Sequence, residues 1–120
     1  MARRFESAQA FAAKAMKTCG HKVAAYKALS EITNDTEIDW ALLITPPNAR
    51  ADIVSELAAS GKSILLEKPI ERDLEAAERL VQICEKANVA LGIVFQHRMR
   101  EASIQSVSYT HLTLPTTPYV

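Results

Sequence analysis

Three largely apolar runs lie in the middle of the chain, and each ends abruptly in polar or ring-constrained residues. The runs span Trp40–Ile44, Ser63–Leu66 and Ala90–Phe95. Runs of this length and character are typical of strands that are covered on both faces. Segments with helical spacing separate the runs, and the links between them are short. The alternation of strand and helix therefore predicts two right-handed βαβ units that form a parallel sheet.

The two segments between these runs have the caps and the apolar spacing of helices. Asn48 is a good N-cap for the first helix, and Gly61 suits the left-handed residue that follows its end. Asp73 caps a second, longer helix. The residues predicted to face inward are Ile53, Val54, Leu57 and Ala58 in the first helix and Leu74, Ala77, Leu80, Val81 and Cys84 in the second.

The first third of the chain has a less regular pattern. Phe5–Thr18 carries its apolar residues on one side, which predicts an amphipathic helix that ends at Gly20. Lys22–Tyr26 is predicted to be a short strand, and Ala28–Ile32 is predicted to form one or two helical turns.

Composition and charge exclude several classes of function. The chain has 120 residues, enough for one domain, and its 14 basic and 14 acidic residues give no net charge. A neutral chain does not predict a nucleic-acid partner, and no apolar run is long enough to cross a membrane. Cys19 and Cys84 have no metal-ligand spacing, and no metal site is predicted. Both cysteines are expected to be reduced thiols in a cytoplasmic protein, with Cys84 on the buried face of a helix.

The residues that follow the three strands form the candidate site. They are Thr45-Pro46-Pro47-Asn48, Glu67-Lys68-Pro69 and Gln96-His97-Arg98. In an open parallel sheet, ligands bind at the carboxyl ends of the strands. Packing alone does not explain three such motifs at corresponding positions, so the sequence predicts a binding edge.

In this order and at this spacing, the motifs resemble those of the nucleotide-binding domain of the glucose–fructose oxidoreductase/inositol dehydrogenase (Gfo/Idh/MocA) family. In the family, an aspartate opens a strand that ends in Thr-Pro-Pro, and a Gly-Lys step precedes a strand that ends in Glu-Lys-Pro. A third strand ends in a Phe-x-x-Arg-like segment. The matching residues are Asp39, Thr45–Pro47, Gly61-Lys62, Glu67–Pro69, and Phe95 with Arg98.

The resemblance implies NAD or NADP as cofactor and hydride transfer to or from a carbon of a small, sugar- or cyclitol-like substrate. It places Lys68 beside the nicotinamide as the catalytic residue, where an ammonium stabilises a developing alkoxide and relays its proton. The structural alternative is an ordinary solvated lysine. The cofactor contacts that the resemblance implies are Thr45, Pro46, Pro47, Asn48, Glu67, Lys68, Gln96 and Arg98.

Several of these contacts have a structural alternative. Pro46 and Pro47 stiffen the turn and would form a wall along the cofactor, whereas Asn48 is explained equally well as a helix cap. Glu67 either lies near the cofactor ribose, where its charge holds Lys68 in place, or is merely the polar residue that ends a strand.

The residues after the third strand, and Arg50 after the first, also have more than one interpretation. Gln96 and Arg98 either reach the nicotinamide end and an anionic or hydroxyl-rich group, or belong to an ordinary polar loop. Arg50 stands where the family often has histidine, which puts in doubt any contact that the histidine would make.

The chain lacks the G-x-G-x-x-G motif that binds a pyrophosphate after the first strand of a Rossmann domain. Its three glycines, Gly20, Gly61 and Gly92, do not form that motif. The sequence is therefore expected to begin inside the domain, at an internal methionine or in a truncated reading frame. The predicted fold is α/β, an incomplete Rossmann-type parallel sheet without its first two strands, with helices on both faces and an exposed apolar edge at Trp40–Ile44.

The end of the chain differs in composition from the rest. Residues 1–105 are assigned to a partial NAD(P)-binding domain, whereas Ser106–Val120 contains no Asp, Glu, Lys or Arg. Such a segment is typical of a linker or a disordered end. The interpretation that fits its sequence better is a translated adapter from DNA library preparation, which would make residues 106–120 non-native.

The sequence therefore predicts a fragment of an NAD(P)-dependent oxidoreductase that is inactive and only marginally stable alone. In the full-length parent its partner would be a small, sugar-like substrate, and a homo-oligomer is left open. The alternative is a non-enzymatic regulatory or interaction module, built on a degenerate nucleotide-binding half-domain and dimerising through the exposed strand edge.

Overall fold

The computed structural model describes residues 4–106, and their centre is a parallel sheet. Strands β1 (Trp40–Leu43), β2 (Ser63–Glu67) and β3 (Leu91–Val94) lie side by side in that order. Leu43 pairs with Leu66, and Glu67 pairs with Val94. The prediction of an α/β fold with a parallel sheet is confirmed.

The hydrophobic core lies between this sheet and two helices, α3 (Ala51–Ala59) and α4 (Leu74–Lys86). Alternate residues of the middle strand point into it, because successive side chains of a strand point to opposite faces. The buried cluster consists of Val54, Leu57, Ala58, Ile64, Leu66, Leu80 and Cys84. Cys84 is therefore on the buried face of its helix, as predicted, and its burial raises the pKa of the thiol.

Strand β1 is an edge strand of the described sheet, and much of its apolar surface is open. Trp40, Leu42 and Ile44 are 61%, 47% and 73% exposed, whereas Ala41 and Leu43 pack against the core. The prediction that this run is covered on both faces is wrong. The exposed apolar edge predicted at Trp40–Ile44 is confirmed, because the described sheet gives β1 a neighbour on one side.

The N-terminal helices agree with the sequence pattern, but the predicted strand after them does not. Helix α1 spans Phe5–Cys19 and ends at Gly20, whose φ is 73° and whose N–H donates to the Met16 carbonyl at 3.0 Å. Helix α2 spans Leu29–Thr33. Residues 22–26 are irregular backbone, so the prediction of a strand there is wrong. A strand needs a neighbour for its backbone hydrogen bonds, and the described sheet ends at β1.

The prediction that Asn48 caps a helix is also wrong. Asn48 lies inside a 3₁₀ turn, Pro47–Ala49, and α3 begins after Arg50. Proline is compatible with the first positions of a helix, so helical backbone starts at Pro47 and leaves Asn48 beyond the cap position. Gly61, with a φ of 76°, follows the end of α3 as predicted.

Helix α4 begins as predicted, but its buried stripe is narrower than the pattern indicates. Asp73 Oδ1 accepts a hydrogen bond from the Ala76 N–H at 2.8 Å, which confirms the cap. Leu80 is buried, whereas Leu74 is 73% and Val81 37% exposed, so their predicted burial is wrong. At 3.6 residues per turn, both lie about 100–120° around the axis from Leu80, on the flank of the helix.

No helix in residues 4–106 is long and apolar enough to cross a membrane. The prediction for residues 106–120 falls almost wholly outside the described residues.

Candidate active site

The parallel register places the three predicted motifs along one edge of the sheet. Glu67 is the last residue of β2, Thr45 lies two residues beyond the end of β1, and Gln96 lies two residues beyond the end of β3. Because parallel strands end on the same side of a sheet, the residues that follow them share that side. We call this side, with the three motifs, the carboxyl edge.

The first motif forms a compact turn that continues into α3. The Pro46 carbonyl accepts from the Ala49 N–H at 3.0 Å, and the Pro47 carbonyl accepts from the Arg50 N–H at 3.1 Å. Two consecutive prolines restrict the backbone, so the turn is a stiff element of the carboxyl edge. Thr45 Oγ1 is buried there without a hydrogen-bond partner among the described residues.

Arg50 connects the first motif to the second. It is 2% exposed, and its Nε donates to the Thr45 carbonyl at 2.9 Å. Its Nη1 donates to the Pro69 carbonyl and, at 3.2 Å, to the Ile70 carbonyl. In the sequence, Arg50 stands out only as a departure from a family pattern. The pattern does not reveal its burial, because arginine is rarely buried and no apolar spacing includes it.

The second motif presents Lys68 to solvent. Lys68 is exposed and is joined to Pro69 by a cis peptide bond, and Glu67 is half-buried. Within residues 4–106, no ion pair joins the Glu67 carboxylate to the Lys68 ammonium. The prediction that Glu67 holds Lys68 by charge has no support in these contacts. The exposed ammonium of Lys68 is available to a ligand.

The third motif forms a 3₁₀ turn, Gln96–Met99, directly after β3. The Arg98 N–H donates to the Phe95 carbonyl at 2.9 Å, and the side chains of Gln96 and Arg98 are exposed. No hydrogen bond in the described part of the chain links them to the other two motifs. They share the carboxyl edge with Lys68, and their contact with a cofactor stays a prediction.

An open apolar cleft of about 610 Å³ lies elsewhere, between α1 and β1. Its walls include Phe11 on one side and Trp40 and Leu42 on the other, and it meets the carboxyl edge only at Thr45. Because its lining is largely apolar, the cleft does not present the charged side chains that a catalytic site would need. Among residues 4–106 no group of three or more His, Cys, Asp or Glu side chains is arranged to hold a metal ion.

A short polar network supports the chain just before β1. The Tyr26 hydroxyl donates to the Asp35 carboxylate, and this bond lowers the pKa of Asp35 and raises that of Tyr26. Lys62 is 5% exposed, and its Nζ donates to the carbonyls of Asp35 at 2.7 Å and Ile38 at 2.8 Å. These groups lie at the opposite end of β1 from the carboxyl edge, and their hydrogen bonds stabilise the segment that precedes the strand.

A parallel α/β sheet with a polar carboxyl edge is the architecture of the open α/β proteins, which include the Rossmann-type nucleotide-binding domains. A family model described as "Oxidoreductase family, NAD-binding Rossmann fold" matches residues 1–95. The chain belongs to this family, Gfo/Idh/MocA, as its motifs indicate.

Three similar proteins illustrate the relationship. The rhizopine catabolism protein MocA of Rhizobium meliloti is 31% identical over 91 residues, which are 76% of this chain and 29% of that protein. Inositol 2-dehydrogenase of Rhizobium meliloti is 29% identical over 91 residues, 76% of this chain and 28% of that protein. The WlbA dehydrogenase of Bordetella pertussis, solved with NADH and UDP-GlcNAcA, superposes with a TM-score of 0.71 at 29% identity, over 89% of this chain and 29% of that one. The chain thus spans less than a third of each relative.

Proposed function

We propose that the chain forms the nicotinamide-side wall of the NAD(P) site in a dehydrogenase that acts on a hydroxyl carbon of a sugar- or cyclitol-like substrate. The observation that carries this proposal is the register of the sheet, which brings Thr45–Asn48, Glu67–Pro69 and Gln96–Arg98 to one edge. Inositol 2-dehydrogenase and the WlbA complex with a nucleotide sugar support the substrate class.

Lys68 is the proposed catalytic residue. Bound NAD(P) supplies the hydride acceptor or donor. When an alcohol is oxidised, its hydroxyl proton must leave as well, and the exposed ammonium of Lys68 stabilises the oxygen as negative charge develops on it. To relay the proton, the ammonium gives one of its own protons to solvent and its nitrogen takes the hydroxyl proton, so Lys68 ends the step with the charge that it began with.

The remaining residues of the carboxyl edge hold the cofactor in this proposal. Thr45 to Asn48 form the stiff wall. The buried hydroxyl of Thr45, which has no hydrogen-bond partner within residues 4–106, fits a hydroxyl-rich or amide-bearing group. Glu67 lies beside the ribose. The exposed side chains of Gln96 and Arg98 follow the third strand and face the nicotinamide end. These residues fit one end of the cofactor, whereas the pyrophosphate needs the glycine motif that the 120 residues lack.

We further propose that the chain is a fragment with little affinity for NAD(P) and no turnover alone. It spans 20–29% of the curated relatives it matches, β1 has a neighbour on one side in the described sheet, and Trp40, Leu42 and Ile44 are exposed on one face of that strand. Residues 1–105 are the partial NAD(P)-binding domain in this proposal, and residues 106–120 do not belong to it.

The test uses the full-length parent enzyme. Wild type is assayed for NAD(P)-dependent oxidation of myo-inositol, scyllo-inositol and a UDP-sugar, and Lys68→Met is compared with Lys86→Met, an exposed lysine at the end of α4. Lys68→Met is expected to lower kcat/KM by roughly 10²–10⁴-fold, and Lys86→Met to leave it unchanged. Equal effects of the two substitutions, or no cofactor-dependent activity in wild type, would refute the proposal.

The second candidate is a non-enzymatic module that dimerises through β1, and its support is the exposed apolar edge of that strand. Edge strands with unpaired backbone groups readily pair with another chain. The 120-residue chain is tested by light scattering and thermal unfolding. A dimer with one cooperative transition that Trp40→Lys converts to a monomer supports this candidate, and an aggregating chain without a transition supports the fragment.

A further inference from the structure

Arg50 is a buried cation that is stabilised by hydrogen bonds to backbone carbonyls. It is 2% exposed, and none of the ion pairs within residues 4–106 includes it. Burying a charged group is costly unless hydrogen bonds replace the lost water. Its guanidinium donates instead to three carbonyl oxygens, those of Thr45, Pro69 and Ile70.

The three carbonyls belong to two separate loops. Thr45 follows β1, and Pro69 and Ile70 follow β2, so the two loops are 24 residues apart in sequence between Thr45 and Pro69. A guanidinium is planar and presents its donors in a fixed fork, which sets the directions of its acceptors. Arg50 therefore fixes the distance between the two loops at the carboxyl edge.

Lys68 lies between two anchored points of the backbone. On one side, Glu67 belongs to the ladder between β2 and β3, where it pairs with Val94. On the other side, Arg50 holds the carbonyl of Pro69, the next residue along the chain. The exposed side chain of Lys68 thus extends from a short backbone segment with little freedom.

From this geometry we infer that Arg50 is a positioning residue, which sets where the Lys68 ammonium stands relative to the substrate oxygen. The inference rests on the proposed catalytic role of Lys68. A misplacement of about 1 Å at a reacting group lowers a rate by up to roughly 100-fold, so the Arg50 bonds matter for the chemical step. Arg50 also holds the carbonyl of Thr45, so its loss loosens the proposed cofactor wall as well, whereas the Gln96–Met99 turn has no hydrogen bond to Arg50 within residues 4–106.

Lys62 provides a matched control. It is also a buried cation, 5% exposed, and its Nζ also donates only to backbone carbonyls, those of Asp35 and Ile38. Those carbonyls precede β1, at the end of the sheet away from Lys68. Replacing either cation removes a buried charge and leaves carbonyls unpaired, but only Arg50 touches the loop that carries Lys68.

The experiment compares Arg50→Gln, Arg50→Lys and Lys62→Gln in the full-length parent enzyme. Arg50→Gln is expected to lower kcat by roughly 10- to 100-fold and to shift the pH profile of kcat, and to raise KM for NAD(P) by a smaller factor because the Thr45 carbonyl also loses its bond. Arg50→Lys, which keeps the charge but not the fork, is expected to restore part of kcat. Lys62→Gln is expected to lower thermal stability without lowering kcat. Equal kcat for the Arg50 and Lys62 variants would overturn the inference.

Hydrogen exchange supplies a readout that does not depend on activity. Arg50→Gln is expected to speed amide exchange selectively in the two loops that it joins, residues 45–50 and 67–72, and Lys62→Gln in residues 35–40. If wild type has no activity, the proposed function fails, but hydrogen exchange still decides whether Arg50 holds the loop at residues 67–72. If Lys68→Met abolishes activity while Arg50→Gln changes neither kcat nor exchange in residues 67–72, the proposed function stands and the inference about Arg50 is wrong.

Discussion

Two leucines of helix α4 have the same chemistry but opposite environments, and replacing each by alanine measures the contribution of the core. Leu80 is 1% exposed within the buried cluster, and Leu74 is 73% exposed. Leu80→Ala removes about three methylene equivalents from the core. Burial of each contributes roughly 0.8 kcal/mol to the free energy of unfolding, before the cost of the cavity is added. The cavity brings the expected loss in free energy of unfolding to about 2–5 kcal/mol.

Leu74→Ala serves as the control because it makes the same change in the same helix. Alanine is at least as good a helix former as leucine, so the expected change in free energy of unfolding is within about 0.5 kcal/mol. Urea unfolding of the 120-residue chain, followed by circular dichroism, measures both variants. With a slope of roughly 1–3 kcal/mol per molar urea, Leu80→Ala should lower the midpoint by about 0.7–5 M, or leave the chain unfolded without urea. Equal midpoints for the two variants would refute the packing described for α4.

Three further outcomes are expected. Asp73→Ala removes the side-chain cap of α4 and should lower the free energy of unfolding by about 1 kcal/mol, measured by urea unfolding. Tyr26→Phe removes the largest of the interactions that hold the pKa of Asp35 below its ordinary value of 3.8. A carboxyl group with a lowered pKa stabilises the fold at pH values above its unfolded pKa. The stability difference between wild type and Tyr26→Phe should therefore exist near neutral pH and vanish as pH falls through the lowered pKa of Asp35. A difference that does not change with pH would contradict this. Iodoacetamide should label exposed Cys19 readily in the native chain and buried Cys84 only after unfolding, as peptide mapping would reveal.

The sequence pattern predicted the βαβ alternation because its signals are local. Apolar runs, the Asp73 cap and the left-handed glycines Gly20 and Gly61 each depend on a few neighbouring residues, and all are confirmed. The predicted strand at residues 22–26 failed because a strand forms only with a neighbour. The double coverage predicted for β1 failed because an apolar run does not specify how many sheets or helices surround it.

In the candidate site, too, local sequence signals indicated some residues, whereas contacts between distant residues had no signal. Thr45, Lys68 and Arg98 could be proposed from the sequence because each follows a recognisable strand, and the parallel register gives them a shared edge. Arg50 was not found as a bridge, since its partners are carbonyls of residues 5 to 20 positions away and carbonyls have no sequence signature. The roles of the exposed side chains depend on ligand contacts and stay predictions.

Helix α3 lies between two buried cations that hold both ends of β1. Lys62 follows α3, and its Nζ donates to the carbonyls of Asp35 and Ile38, which precede β1. Arg50 precedes α3, and its Nε donates to the carbonyl of Thr45, which follows β1. Because both cations donate to backbone, they constrain the path of β1 without depending on which side chains surround it. The edge strand is thereby fixed from the α3 side, even though the described sheet gives it only one neighbour. The geometry of the carboxyl edge therefore depends on α3 and its two flanking cations as much as on the sheet itself.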